Sequence, residues 1–481
     1  SWILLLVLWL LDFSIVTAAE SSSFYQYGWE SQLLETGFLC VFLCDGPLPL
    51  KTALPFGRHT KSPPSFPILY LLRWLIFRIS IGAGLIKMRG GSCWQAKTCL
   101  HYHFETQPIP SPLSFAFHFL PKPILSRAVD LDLFVQFYSS FLVLLPGVLL
   151  PLRILRRLGG FIQVGFMINI MASGNLAFLN HLTIIPALAA LDDSCFPKWL
   201  VPSSEEEGES DAISSQKGST AFGTGSAKSR QQRPSSSPFL RLCRLALDYT
   251  LFGLIGYLSW PVISNLLQLG GKRQVMNSSF GSFRLVNTYG AFGSVGEARY
   301  EPIVSVSSDN GKTWHELEWP CKPGKVTRRP CFNAPYHYRL DWNIWFLGFK
   351  PHQQMLQQRE GWLYVFLEKV LSGQEAPLRL LDAESAALLR KMTRGKKRAK
   401  LLLAKVEMYR YRMSMPLWEI CREWYARYRL RQELKSSSMR LIAVENEEIV
   451  WWRREFEESL VPIVRVGKDG RLERWVEQPS S

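Results

Sequence analysis

Hydrophobic positions fall in long runs over the first 267 residues and in shorter alternating or helical patterns after them. A bilayer crossing takes about 20 mostly apolar residues. Runs near that length are Trp2 to Ala19, Phe66 to Ile86, Leu131 to Leu150 and Leu242 to Leu267, with a weaker one from Leu33 to Leu50. Phe161 to Leu191 is too long for one crossing and breaks at Ser173-Gly174-Asn175, which predicts two short spans or a tight hairpin. Six or seven spans are expected. The first run also reads as a signal-peptide remnant, since "VTAAE" resembles a small-residue cleavage site, but no basic segment precedes it and a true span is expected. The chain opens on Ser, which predicts a missing or processed start. Arg73 and Arg78 inside the second run must face a bundle interior or a partner. Gly82 and Gly84 nearby permit close helix packing.

Residues 203–238 are rich in Ser, Gly and charge with almost no large apolar residue, which predicts a disordered linker inside a membrane domain that otherwise covers 1–202 and a last helix at 239–267. Basic loops mark the cytosolic side. Lys51, Arg58 and Lys61 form one such loop, and Arg153, Arg156 and Arg157 another. The loop at 87–130 then faces the lumen, the linker faces the cytosol, and everything after Leu267 is lumenal. Beyond that point the period changes. "FRLVNTY" and "YEPIVSVSSDNGKTWHELEW" alternate like strands, and Asn310-Gly311 is a hairpin signal. A β-rich sheet or sandwich is expected over 277–376. From Pro377 to the end, "LRLLDAESAALLRKM" and "RAKLLLAKVEMYRYRM" repeat at three and four, predicting a basic helical region.

Charge and cysteine refine this picture. The net charge is +16, and Pro377 to Arg440 alone holds 17 Lys and Arg against 6 Asp and Glu. A solvated helical face is the first reading, a membrane surface the second. No nucleic-acid partner is expected, since no zinc finger, RNP or helix-turn-helix signature accompanies the block. Cys93 with Cys99 and Cys321 with Cys331 are locally spaced pairs on the inferred lumenal side, where an oxidising compartment makes them disulfide candidates. Asn277-Ser278-Ser279, on the same side, makes Asn277 a glycosylation candidate. Cys40, Cys44, Cys195, Cys243 and Cys421 sit in or beside apolar segments and read as small buried hydrophobes.

Catalytic signals are sparse. "HYHFETQPIP" puts His101, His103 and Glu105 at alternate positions, which a strand would gather on one face as metal ligands or acid–base groups. A polar lumenal loop is the plainer reading. "GAFGSVG" lacks the Lys-Ser/Thr of a phosphate loop. Neither G-x-S-x-G nor H-E-x-x-H is present, and no cofactor is called for. "RRPCFNAPYHYRLDWNIWF" (Arg328 to Phe346) concentrates aromatic and Arg side chains. It reads as a core laid against the bilayer, or as a partner-binding surface made by Tyr336, His337, Tyr338, Arg339, Asp341, Trp342, Trp345 and Phe346. Arg339 and Asp341 share a face, and can pair, if the segment is extended.

The chain resembles the lipase maturation factor family. The resemblance rests on "YGWESQLLETGFL", "GAGLIKMRGGSCWQAKTCLHYHFETQPIP", "SGNLAFLNHLTIIPALAALDD", "NTYGAFGSV", "RRPCFNAPYHYRLDWNIWF" and "WWRREFEESLVPIV", scattered from Tyr27 to Val464. It implies a multi-span α-helical protein of the endoplasmic reticulum membrane followed by a lumenal β-rich domain with C-terminal helices. It implies no enzyme but a factor that matures immature secreted lipases, dimeric and lipoprotein lipase-like, and it places "NTYGAFGSV" at a sheet element. The alternative is a membrane-embedded enzyme acting on lipid or a secretory substrate through His101, His103, Glu105 or His337.

Overall fold

The computed structural model describes residues 2–19, 23–25, 27–44, 65–197, 199, 238–271, 273–349, 361–393, 402–436, 449–467 and 469–475. The expected linker at 203–238 and the Lys51, Arg58 and Lys61 loop lie outside or almost wholly outside them. Among the described residues nine helices precede the sheet: α1 (Trp2–Ala18), α2 (Gly28–Val41), α3 (Phe66–Arg89), α4 (Leu100–Thr106), α5 (Pro112–His118), α6 (Lys122–Leu133), α7 (Leu150–Ser173), α8 (Leu179–Leu188) and α9 (Pro238–Leu266), besides shorter turns. α6 runs on through a π-helical turn at Phe134–Ser139. Among the described residues three helices are long and apolar enough to cross a bilayer: Phe66–Arg89, Leu150–Ser173 and Leu242–Leu266. Trp2–Ala18 and Leu179–Leu188 are apolar but shorter.

α3 is the most buried of these three candidate spans, and its two arginines are buried as expected. The Arg73 Nε donates to the Ala189 carbonyl at 2.6 Å. Arg78 pairs with Glu35 and donates to the Asn287 carbonyl at 2.9 Å. The Glu35 carboxylate also accepts from the Tyr289 hydroxyl at 2.6 Å and the Asn287 amide at 3.0 Å. A charge at this depth is tolerable only with such partners. Residues 287–293 can lie against α3 because Gly82 has no side chain. A Cβ there would sit 2.3 Å from the Tyr289 carbonyl oxygen.

Two membrane-side expectations are corrected: Leu131 to Leu150 is not one continuous helix, since the helical path from α6 ends at Leu142 and α7 begins only at Leu150. The predicted break at Ser173 is present, but Arg153, Arg156 and Arg157 are not in a loop. They lie in the first turns of α7, where Arg157 Nε donates to Asp192 at 2.7 Å and Arg156 Nε to the Ala190 carbonyl at 3.0 Å. The helix starts early because these charges find acceptors at the end of α8.

The second half is built on one antiparallel sheet with strand order β2-β1-β3-β4-β5. The strands are β1 (Arg299–Ser307), β2 (His315–Glu316), β3 (Leu403–Met413), β4 (Trp452–Val466) and β5 (Leu472–Arg474). β1 and β2 form the predicted hairpin, with Val306 opposite His315, and Asn310 and Gly311 both take the positive φ that such a turn needs. β1 is covered on both faces. Val304 and Val306 enter a core with α10 (Arg339–Phe346), α11 (Gly361–Leu371) and α12 (Ala383–Thr393). Ile303 points the other way, toward Phe115 of α5, Tyr411, Trp451 and Trp452.

The sequence reading misplaced three stretches here. "RAKLLLAKVEMYRYRM" is strand over its described part, not helix. Its residues Leu403 to Tyr411 pair with Arg299 to Ser307, which makes β3 a full-length neighbour of β1, and the alternation of Ala404, Val406 and Met408 with Lys405, Glu407 and Tyr409 is the period-two signal. The region after Pro377 is therefore mixed: α12 and α13 (Leu417–Ser436) accompany three strands. "FRLVNTY" and "NTYGAFGSV" are not sheet strands. They contribute one isolated bridge, Ser279 to Asn287, and otherwise follow α3, with Gly91 N–H donating to the Gly293 carbonyl at 2.7 Å.

Candidate functional site

The stretches that carry the family resemblance come together where the membrane helices meet the sheet. Two connections from the first half are gripped by groups from the second. Arg299 of β1 donates to the Glu105 and Pro108 carbonyls, each at 2.9 Å. Glu105 turns inward and accepts the Met413 N–H at 2.7 Å. Asn175, at the break after α7, donates to the Cys331 carbonyl at 2.8 Å and accepts from the Asn333 N–H at 3.1 Å. Arg299, Glu301 and Lys322 form a fully buried set of ion pairs below this contact. Burial pushes Arg299 down to about 9 and Lys322 well below the ordinary lysine range.

An aromatic cluster fills the joint. Tyr27 and Trp29 stack with ring centroids 4.6 Å apart. His337 stands edge-on to both, at 4.8 and 5.1 Å, and Trp342 packs 5.0 Å from Trp29. Burial first, then the Arg339 charge, depresses His337 to about 3, so the ring is neutral at pH 7. The extended reading of Arg339 and Asp341 is corrected, because α10 is helical and sends them apart. Arg339 pairs with Glu30 at 2.6 Å, donates to the Phe24 carbonyl and lies 4.0 Å from the Tyr25 ring centroid. Asp341 accepts the N–H groups of Cys321 and Lys322 at 3.0 Å each, and burial raises it to about 6 despite them.

Of the client-facing candidates, His337, Asp341 and Trp342 are buried, Tyr338, Arg339, Trp345 and Phe346 are half-buried, and Tyr336 is exposed. Trp345 donates its indole N–H to the Thr106 carbonyl at 2.9 Å. At the edge of the joint a small, partly open recess is lined by His103, Gln107, Phe292, Tyr300, Trp345 and Phe349. Spacing alone could not reveal this recess, whose walls come from three separated motifs.

The four candidate acid–base groups are not brought together. α4 is a helix, so the alternate spacing of His101, His103 and Glu105 does not place them on one face. His101 contacts the Ser126 hydroxyl at 3.2 Å, His103 stands 4.8 Å from the Phe292 ring, Glu105 faces Met413 and His118, and His337 is in the aromatic cluster. Cys93 and Cys99 lie at disulfide distance with Cα atoms 4.8 Å apart, and Cys321 and Cys331 with Cα atoms 5.7 Å apart. The remaining cysteines are less buried than expected: Cys243 and Cys421 are exposed, and Cys40, Cys44 and Cys195 are half-buried. Asn277 is exposed, at φ 52°, with its side-chain oxygen 3.4 Å from the Gly290 N–H that donates to it.

Residues 1–198 match the family described as lipase maturation factor transmembrane domain, and residues 285–435 the lipase maturation factor C-terminal domain. The chain is similar to lipase maturation factor 1 of Mus musculus, 38% identical over 86% of this chain and 66% of that protein. It is 37% identical to lipase maturation factor 1 of Homo sapiens over 89% of this chain and 69% of that protein. Lipase maturation factor 2 of Rattus norvegicus is 24% identical over 98% of this chain and 71% of that protein. The chain thus spans about two thirds of the length of the relatives it matches. No solved structure matches it.

Proposed function

Because this chain belongs to the lipase maturation factor family, we propose that it is an endoplasmic reticulum membrane factor that helps secreted lipases fold and assemble without covalent chemistry. The sheet domain and the loop at 87–130 face the lumen in this reading, and the two cysteine pairs are disulfides formed there. The observation that carries the reading is the recess at the joint. It is lined by aromatic side chains and partly open to solvent, with His103 pushed down to about 4 by burial and therefore neutral. Such a surface suits an apolar side chain of an incompletely folded client better than proton transfer. Aromatic and Arg groups around a recess are typical anchors of protein interfaces. Dimeric lipases of the lipoprotein lipase type are the proposed clients, as the family resemblance implies.

The test is complementation. Cells deprived of their own factor are given this chain and a secreted dimeric lipase, and active lipase in the medium is measured against total lipase made. Restored activity per lipase molecule is expected. Unchanged activity with the chain at normal abundance in the reticulum membrane overturns the reading. Phe292→Ser at the recess is expected to lower rescue severalfold while leaving the chain's own abundance near normal.

A further inference from the structure

α13 presents an unusual face. Trp418, Cys421, Tyr425 and Tyr428 follow one another at spacings of three and four, so they share one side of the helix. Trp424 adjoins them and stacks on Tyr428, ring centroids 5.6 Å apart. The four aromatics are 55%, 59%, 58% and 48% exposed for Trp418, Trp424, Tyr425 and Tyr428. Ile420, one turn before Trp424 at the margin of this face, is buried against Phe115, Met413, Trp451 and Trp452 and attaches the helix to the sheet. Exposed Arg422 and Arg429 flank the aromatic face.

Two observations identify what covers it. The first is chemistry. The four large hydrophobic side chains exposed between Leu417 and Arg429 are all Trp or Tyr, which carry a polar tip on an apolar body. A dry protein interface readily uses Leu, Ile or Phe as well, whereas Trp and Tyr with flanking Arg suit a layer that is apolar on one side and wet on the other. The second is position. α13 packs on α5. α5 is itself fastened to the end of the span α7, since the Ser114 hydroxyl donates to the Ser173 carbonyl at 2.7 Å and the Ser111 hydroxyl to the Ala172 carbonyl at 3.5 Å. With α5 between them, two interhelical distances of about 8–10 Å place α13 within roughly 20 Å of the end of α7, near enough for its side chains to reach the interfacial region of the same bilayer.

We propose that α13 lies on the phospholipid headgroup layer of the protein's own bilayer, with Trp418, Trp424, Tyr425 and Tyr428 entering it and Arg422 and Arg429 beside the phosphates. The sheet domain is then tethered to the membrane at two places, the aromatic joint and α13. This does not depend on the lipase reading.

Cys421 lies in the middle of the face and provides the probe. The full chain, with Cys40, Cys44, Cys195 and Cys243 replaced by Ala, is spin-labelled at Cys421 and placed in phosphatidylcholine nanodiscs. Collision with oxygen is compared with collision with a water-soluble nickel chelate. The oxygen-to-nickel ratio is expected to be severalfold higher than for a label at Thr313→Cys on the exposed hairpin, and to fall to that value in Trp424→Ser with Tyr428→Ser. Equal ratios at the two sites overturn the proposal. So does a label that becomes shielded only when a secreted lipase is added, which makes the face a protein-docking surface. A second measurement needs no cysteine changes: brominated phosphatidylcholine should quench a part of the Trp fluorescence that Trp418→Phe with Trp424→Phe removes. Identical quenching in wild type and variant also overturns it.

Discussion

Residues 328–346 and 417–429 are both crowded with Trp, Tyr and Arg, and the fold treats them in opposite ways. In the first, Trp342 is 4% exposed and sits among Tyr27, Trp29 and His337, and Arg339 is neutralised by Glu30. In the second, the aromatics of α13 face outward while Leu417 and Ile420 anchor the helix. The difference lies in what surrounds each segment. The start of α2, the end of α4 and the break after α7 converge on the first and enclose it. Nothing among the described residues covers the aromatic face of the second. Composition announces that a stretch binds something. It does not say whether the partner is the rest of the chain.

The largest expected effect tests that contrast directly. Trp342→Ala should cost about 3–5 kcal/mol, the usual range for emptying a buried aromatic site. A lower midpoint of thermal unfolding in detergent and a lower steady-state level in cells are expected together. A normal level combined with a selective loss of lipase secretion would return Trp342 to the client surface and break the comparison.

Next comes the clamp beside it. Cys331→Ser should cost about 2–4 kcal/mol in non-reducing conditions. Reductant should lower the wild-type midpoint toward that of the variant. A variant that unfolds like the wild type would remove the Cys321 and Cys331 pairing from the joint. Cys421→Ser, on the open face, should leave the midpoint unchanged.

The joint should also weaken in acid. His337 is depressed to about 3 in the fold against 6.5 for a free ring, so its contribution is complete above pH 6.5 and is lost as the pH falls. Between pH 7 and pH 5 the loss is about 2 kcal/mol from this ring. Asp341 acts oppositely. Raised to about 6, it favours the fold as the pH drops below that value, which offsets part of the loss. The difference between wild type and His337→Phe isolates the histidine, and the wild type should lose more stability across this interval. Parallel pH curves would show that the ring does not sit neutral among Tyr27, Trp29 and Trp342.

The smallest effect completes the pair. Trp424→Ala or Tyr428→Ala should change unfolding in detergent by no more than about 0.5 kcal/mol, as for exposed positions with few contacts. A change as large as that of Trp342→Ala would mean that α13 is packed against the chain after all.

Much was legible before any fold was known. The apolar run of α3, the break at Ser173-Gly174-Asn175, the Asn310-Gly311 hairpin and the two cysteine pairs are local patterns. A segment's own residues set its hydrophobic length, its turn geometry and its short loop closures. The likeness to lipase maturation factors was legible too, because it rests on short stretches that keep their spelling wherever they fold. Tertiary structure alone decided the rest. Leu403 to Met413 reads as a helix by its three-and-four spacing, yet pairs with β1, since nine residues of backbone partners and a covered face outweigh a weak local preference. Arg153 to Arg157 became helix because Asp192 and the Ala190 carbonyl wait across the bundle. Burial separated the two aromatic stretches in the same manner. It is a property of which distant segments arrive, and the sequence of one stretch holds no record of its neighbours in space.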